Sequence, residues 1–247
     1  TWNKRRDSWL WRRLDRAIYS QFDRIAAIST QTRDALTTAH PQVAAKTVTV
    51  RNGAALRFVT PPERPDTSTP PTILTVARLA RAKNIETALA ALHQIADRPW
   101  SYVVAGDGAL RPVLEARANE LGIADRVTFL GNVTDVTELL RSADIFLLPS
   151  LWEGFGLAAV EAMNAALPVV ASDVPGLSDI VAPAGNPVIA PDDVQGFAQA
   201  LGRLIDAPAQ RSQLGLAGFE AAKAYDKVGM ARDYLAMWRD LPERVAA

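Results

Sequence analysis

Two hydropathy patterns alternate along residues 72 to about 190. Short runs of β-branched and apolar residues, TILTVARL (72–79), SYVVAGDG (101–108), RVTFLGNV (126–133), ADIFLLPS (143–150) and LPVVASDV (167–174), predict strands. Their hydrophobicity is nearly continuous rather than alternating, as in strands covered on both faces. Helical periods separate them. Ile85, Ala88, Leu89, Leu92 and Ile95 follow the i, i+3, i+4, i+7 rule and form one apolar stripe; further helices are expected over 109–122, 135–142 and 155–166. Repeated strand–helix–strand units imply right-handed crossovers and an α/β, Rossmann-like parallel sheet with helices on both faces. Such sheets bind ligands outside the carboxyl ends of their strands, so the loops after each strand are where chemistry is expected.

The flanks differ. Residues 8–22 predict a helix, RIAAIS (24–29) a strand followed by a capped helix from Thr30, and TVTVRNG (47–53) a strand ending in an Asn-Gly turn. PPERPDTSTPP (61–71) is too rich in proline for helix or central strand. The expected organisation is a partial N-terminal unit (1–50), a linker (51–71), the main sheet domain (72–225) and a C-terminal helix (226–247) crossing back to the N-terminal part. After Pro191 helices are expected over 193–206, 208–224 and 227–240.

Composition narrows the chemistry. The 247 residues carry 27 basic and 27 acidic side chains, so no global charge favours nucleic acid. Without cysteine there is no disulfide, thiolate nucleophile or cysteine zinc site, and two histidines cannot make a three-histidine metal site. The apolar runs are far shorter than the roughly 20 residues that cross a bilayer. No secretory-type stretch opens the chain, which reads as cytoplasmic. Its first residue is Thr rather than an initiator Met, so a remainder of something longer is expected.

The densest chemistry lies in PSLWEGFGLAAVEAM (149–163). Glycines 154 and 156 allow close backbone approach to a ligand, and the helix start just beyond them suits phosphate. Glu153 before that helix and Glu161 inside it would repel a phosphate if they faced it. As hydrogen-bond acceptors for hydroxyls on either side, they fit a diphosphate flanked by two sugars, which is a nucleotide-sugar. The plain alternative is a helix-start acid at Glu153 and a solvated one at Glu161.

In VARLARAK (76–83), Arg78 and Lys83 follow the first main strand. Arg supplies a rigid fork and Lys a point charge, and together they could neutralise a departing nucleoside diphosphate where other transferases use a divalent metal. No Asp-x-Asp pair offers to hold such a metal, so no metal or other cofactor is expected. Arg81 reads as solvated. GDGAL (106–110) continues as Gly-x-Gly-x-x-Arg, a poor dinucleotide fingerprint and a good tight turn. Gly131 and Asn132 follow another strand, where backbone amides could read a nucleobase edge. DVPGLSDIV (173–181) could close over the sugar. Trp152 is either a core plug or a wall of the sugar pocket, and His40 and His93 read as structural. Near the amino terminus, Lys4, Arg5, Arg6, Arg12, Arg13 and Arg16 interleave with Trp2, Trp9, Leu10, Trp11 and Leu14. That pattern suits peripheral contact with an anionic membrane, or packing of the aromatics on further protein.

In this order the segments resemble the carboxyl-terminal, donor-binding domain of glycosyltransferase family 4, whose members are retaining transferases of GT-B fold. The resemblance runs from about residue 23 to 240. Glu153 through Glu161 is similar to the family's Glu-x7-Glu signature, and Arg78 with Lys83 to its diphosphate-binding pair. RNGAALRF (51–58) resembles its interdomain segment, and DRIAAISTQTRDAL (23–36) the last strand and helix of its acceptor-binding domain. The resemblance implies that Glu161 hydrogen-bonds the ribose and that Glu153, with the backbone of Gly154, Phe155, Gly156 and Leu157, holds the donor sugar. It implies a nucleotide-diphosphate sugar donor, a glycan or lipid-linked acceptor, retention of configuration, no metal, and a role in cell-envelope or exopolysaccharide synthesis. The chain departs from the pattern at Ala77 and Asn84, where glycines are usual, and at Asp179, where a longer acid is. Most of an acceptor domain is absent, so a missing N-terminal domain or partner chain is expected, and poor transfer by these residues alone. Two other readings stand beside it: a catalytically inactive pseudo-glycosyltransferase serving as a nucleotide-binding or interaction module, and a nicotinamide-dependent oxidoreductase, which the sequence Leu-Ala-Arg-Ala-Lys (79–83) after the first main strand disfavours.

Overall fold

The computed structural model describes residues 9–63 and 70–241, and the chain divides into two compact units. Ala54–Ala224 form one, and the described parts of Thr1–Gly53 and Tyr225–Ala247 form the other.

In the smaller unit, α1 (Trp9–Ser20) leads to β1 (Ile25–Ala27), α2 (Thr30–Ala39) and β2 (Thr47–Thr49), with β1 and β2 paired in parallel. Ser29 caps α2 by accepting from the Thr32 amide, 3.1 Å away. Lys46 donates to the Tyr19 and Phe22 carbonyls at the end of α1, satisfying acceptors that a helix terminus leaves open. His40 is buried against Asp15, 3.8 Å away, with Tyr19 edge-on. Trp11, Leu14 and Ile18 stay exposed on α1. The structure of residues 1–8 and the side chains of Trp9, Leu10 and Arg12, on which the membrane-contact expectation also rests, lie outside the described residues. The last helix, α10 (Lys227–Arg239), belongs to this unit, where the Gly53 amide meets Met230 Sδ at 3.2 Å.

The larger unit is a six-stranded, all-parallel sheet with helices between its strands. In chain order it comprises β3 (Thr72–Val76), α3 (Ile85–Gln94), β4 (Ser101–Ala105), α4 (Arg111–Glu120), β5 (Val127–Gly131), α5 (Thr137–Ser142), β6 (Ile145–Leu148), α6 (Leu157–Asn164), β7 (Val169–Ser172), α7 (Ser178–Val181), β8 (Val188–Ile189), α8 (Val194–Asp206) and α9 (Pro208–Ala222). The strand order is β5-β4-β3-β6-β7-β8. The chain works outward from β3 to one edge, then returns to lay β6 on the other side of β3. The crevice beyond the ends of β3 and β6 is therefore the topological switch point, where open α/β sheets bind ligands.

Strand length is where the sequence reading needs correction. All five apolar runs are strands, but each is shorter than its run, because the residues after each strand turn away to build loops. β8, only two residues long, and α7, four, were not foreseen; neither is long enough to show a period. Ile85, Ala88, Leu89, Leu92 and Ile95 are all buried, as the stripe requires. Every residue of β6 and β7 is buried, which accounts for their unbroken hydrophobicity. In the centre, the buried Tyr102 hydroxyl shares a 2.8 Å hydrogen bond with Thr75, which donates to the Leu147 carbonyl at 2.6 Å. Burial holds the Tyr102 phenol well above its usual pKa.

The 51–71 segment is not a free linker over its first part. Asn164, at the end of α6, accepts from the Arg57 and Phe58 amides at 2.8 and 3.0 Å and donates to the Phe58 carbonyl at 3.0 Å. One side-chain amide thereby replaces the backbone partners this irregular strap lacks. Residues 64–69, within the proline-rich stretch, lie outside the described residues.

Candidate active site at the strand carboxyl ends

The loop after β3 carries Arg78 and Lys83. It turns through a short 3-10 helix at Arg81–Lys83 and reverses at Asn84, whose φ of 52° and ψ of 38° are left-handed. Asn tolerates that region better than other side-chain-bearing residues. Its side chain also donates to the Pro191 carbonyl at 2.9 Å, an anchor that glycine could not supply. Asn84→Ala removes both advantages and should lower stability by about 1–2 kcal/mol in chemical denaturation; an unchanged midpoint and slope would refute the anchoring role.

Beside this loop, the turn after β4 fits only because it is built of glycine. A Cβ on Gly106, at φ +141°, would stand 1.9 Å from the Ala77 carbonyl oxygen, and one on Gly108 would stand 2.3 Å from that of Leu79. The Ala77 and Leu79 amides donate to the Ala105 and Asp107 carbonyls, so the two loops run locked together. Ala77 thus occupies its position against a glycine supplied by the neighbouring loop. GDGAL is the tight turn of the simpler reading, and Arg111 binds Glu115 and the Phe129 carbonyl.

Past the ends of β3, β4 and β5 opens a pocket of about 660 Å³, lined by Arg78, Gly106, Asp107, Gly108, Asn132 and Val136, among others. Three of the sequence candidates meet here. Arg78 and Asn132 line the pocket, and Gly131, at φ +74°, pairs with Gly106 beside it. Arg78 is exposed and makes no ion pair among the described residues.

Lys83 and Glu153 do not line that pocket; they meet each other across the switch point. The loop after β6 returns to the loop after β3 through the Leu151 amide, which donates to the Ala82 carbonyl at 2.8 Å. There Lys83 Nζ contacts Glu153 Oε1 at 2.5 Å, and Ser150 Oγ donates to the same oxygen at 2.8 Å. The Glu153 side chain is only 9% exposed and that of Lys83 24%. The repulsion foreseen between an acid here and an anionic ligand is offset by this pairing. One ammonium hydrogen faces Glu153, and two remain to donate.

Gly156, at φ +73°, is the N-cap of α6. A Cβ there would lie 2.8 Å from Leu177 Cδ1, and one on Gly176 would lie 2.8 Å from the Gly154 carbonyl oxygen. The loops after β6 and β7 are thus seated on each other through glycine, with Phe155 buried beneath and Leu157 exposed. Asp179 Oδ2 accepts from the Gly176 amide at 3.3 Å, holding this second loop. Trp152 is 43% exposed, which rules out the core-plug reading.

Glu161 lies just over one turn into α6. Its carboxyl is partly buried, which raises its pKa above the ordinary range, and the charge of Arg57 opposes that rise. Arg57 also pairs with Asp135 at 3.3 Å, on the loop that follows Asn132. Arg57 thereby joins the strap held by α6 to the loop lining the Arg78 pocket. The sequence reading missed Arg57, Ser150 and Asn164. Arg57 lay within RNGAALRF and Ser150 within the Glu153 motif, but nothing in a linear pattern told which side chains turn toward these acids.

Comparison with known proteins fixes the lineage. The profile of the family "Glycosyl transferases group 1" matches residues 60–221. Glycogen synthase of Mycobacterium tuberculosis is 32% identical over 209 residues, covering 82% of this chain and 48% of that protein. A lipopolysaccharide core biosynthesis mannosyltransferase of Rhizobium meliloti is 36% identical over 115 residues, covering 43% of this chain and 33% of that one. Among solved structures, Anabaena HepE in complex with UDP superposes with a TM-score of 0.85 at 21% identity, over 97% of this chain and 70% of that one. The chain spans less than half the length of the curated relatives it matches, between 29% and 48% of each. Among the described residues no helix is long and apolar enough to cross a membrane. With a glycosyltransferase profile over about two thirds of its residues and a parallel sheet shared with solved GT-B glycosyltransferases, the chain belongs to the glycosyl transferases group 1 family.

Proposed function

We propose that the larger unit binds a nucleoside diphosphate-sugar and serves a retaining sugar transfer of the family 4 type, in envelope or exopolysaccharide synthesis. The observation that carries this is the pair of cations after β3: Arg78 at the open pocket past β3, β4 and β5, and Lys83 held against the largely buried Glu153 side chain between the loops after β3 and β6. Arg78 and the two free donors of Lys83 would hold the diphosphate as negative charge builds on the leaving group. Glu153 and the backbone at Gly154–Leu157 would receive donor-sugar hydroxyls, Glu161 the ribose diol, and Gly131 with Asn132 the base. Binding needs neither a metal nor another cofactor in this reading. The UDP complex of HepE supports a nucleotide-sugar donor and the mannosyltransferase relative supports sugar transfer; in this reading the acceptor is a glycan or is lipid-linked. Because the chain spans under half of its curated relatives, sugar transfer by these residues alone is expected to be slow compared with nucleotide binding.

The test is a thermal-shift screen with UDP, GDP, ADP and TDP, followed by calorimetry on Glu161→Ala. At least one diphosphate should stabilise the protein, by about 2.7 kcal/mol at a hundredfold excess over Kd, and Glu161→Ala should weaken it at least tenfold. Stabilisation by none of the four would favour the inactive, interaction-module reading; unchanged affinity in Glu161→Ala would remove the ribose assignment.

A further inference from the structure

We propose that Arg57 is a positioning residue of the donor site: its guanidinium, paired with Asp135 and carried on a strap fixed to the helix of Glu161, keeps the Glu161 carboxylate ready to accept hydrogen bonds from a vicinal diol. The inference rests on the nucleotide-binding reading above but assigns a role outside the motifs that suggested it. Three observations place the cation. Asn164 lies one turn beyond Glu161 on α6 and grips the backbone of Arg57 and Phe58 with three hydrogen bonds of 2.8–3.0 Å. The strap is therefore fixed to the very helix that carries Glu161. The Arg57 guanidinium then reaches Asp135, 3.3 Å away, on the loop just before α5. Asp135 is itself held by Thr137, whose amide and hydroxyl both donate to it, which lowers its pKa and keeps it an anion.

Other charges do not take this role. On the elements packed against α6, Asp179 of α7 accepts from the Gly176 amide, Arg211 of α9 donates to the Leu204 and Ile205 carbonyls, and Glu220 pairs with Lys223. β6 and β7 carry no ionisable side chain. In the preceding loop Glu153 is paired with Lys83. Arg57 is the charge that acts on Glu161 among the described residues, and it opposes the burial that favours the protonated acid. A protonated carboxyl is the poorer acceptor, because hydrogen bonds to a charged partner are about twice as strong as neutral ones.

The experiment has two arms. Without nucleotide, carbon-13 NMR follows the Glu161 carboxyl titration in the wild type, Arg57→Ala and Arg57→Lys, using Glu161→Gln to assign the resonance. The midpoint should move to higher pH in Arg57→Ala and return most of the way in Arg57→Lys. In the second arm calorimetry with UDP or whichever diphosphate binds, from pH 5 to 8, should show the Arg57→Ala loss to be about tenfold at the acid end and small at pH 8. The loss should vanish in a Glu161→Gln background. An unmoved Glu161 midpoint, or an equal loss in that background, overturns the proposal. If the midpoint moves as expected but no diphosphate binds the wild type, the nucleotide reading fails while the electrostatic link stands.

Discussion

Gly106→Ala is expected to destabilise the protein by about 3–5 kcal/mol and to lose nucleotide binding in the interval between its own melting midpoint and that of the wild type. A Cβ at this position would meet backbone, the Ala77 carbonyl oxygen at 1.9 Å and its carbon at 2.8 Å, and backbone cannot swing away as a side-chain tip can. The φ of +141° adds conformational strain for any residue but glycine. Relief by moving either loop is blocked from three sides. The Ala77 amide is bound to the Ala105 carbonyl, the Leu79 amide to that of Asp107, and the Gly106 amide to that of Gly131. For a chain of this size, with about 2–4 °C per kcal/mol, the midpoint of thermal unfolding should fall by roughly 10 °C. Gly229→Ala is the control: within α10 nothing lies within 4 Å of its added Cβ, so it should be neutral or stabilise by up to about 1 kcal/mol. If Gly106→Ala melts with the wild type, the locked-loop account is wrong.

That glycine illustrates how far a linear reading reaches. The strand and helix pattern between residues 72 and 190 was legible because continuous and 3.6-residue apolar periods report burial directly, as the buried stripe on α3 and the wholly buried β6 and β7 attest. The grouping of candidate residues in post-strand loops followed from topology. A sequence does not show which loop meets which. Lys83 and Glu153 stand 70 residues apart, and their pairing depends on β6 returning beside β3. The strap held by Asn164 read as linker because its backbone hydrogen bonds go to a side chain more than 100 residues away, a partner no local period can reveal. The same limit hid Arg57, and it left Trp152 undecided until its exposure was known.

Arg78→Ala and Lys83→Ala, although both remove a positive charge from the loop after β3, should fail in different ways. Arg78 is exposed at the pocket mouth without an ion pair among the described residues, so its loss leaves nothing buried and unpaired. Stability of Arg78→Ala should stay within about 0.5 kcal/mol of wild type. Its effect belongs to the ligand: charge-assisted hydrogen bonds contribute about 1.5–3 kcal/mol, so the Kd for a nucleoside diphosphate should rise roughly 10- to 150-fold. The Kd for the matching nucleoside, which has no phosphate to lose, should change less than twofold, and Arg78→Lys should recover part of the loss because a point charge replaces a fork. Lys83→Ala, by contrast, strands the Glu153 carboxylate, 9% exposed, with Ser150 as its remaining hydrogen-bond partner. That variant should lose about 1–3 kcal/mol of stability as well as diphosphate affinity, since a buried charge deprived of its counter-ion keeps its desolvation cost. Calorimetry with diphosphate and nucleoside, beside denaturant titration of both variants, separates the two. Equal losses for nucleoside and diphosphate in Arg78→Ala would mean that this cation does not face phosphate, and the pocket past β3, β4 and β5 would then need a different ligand.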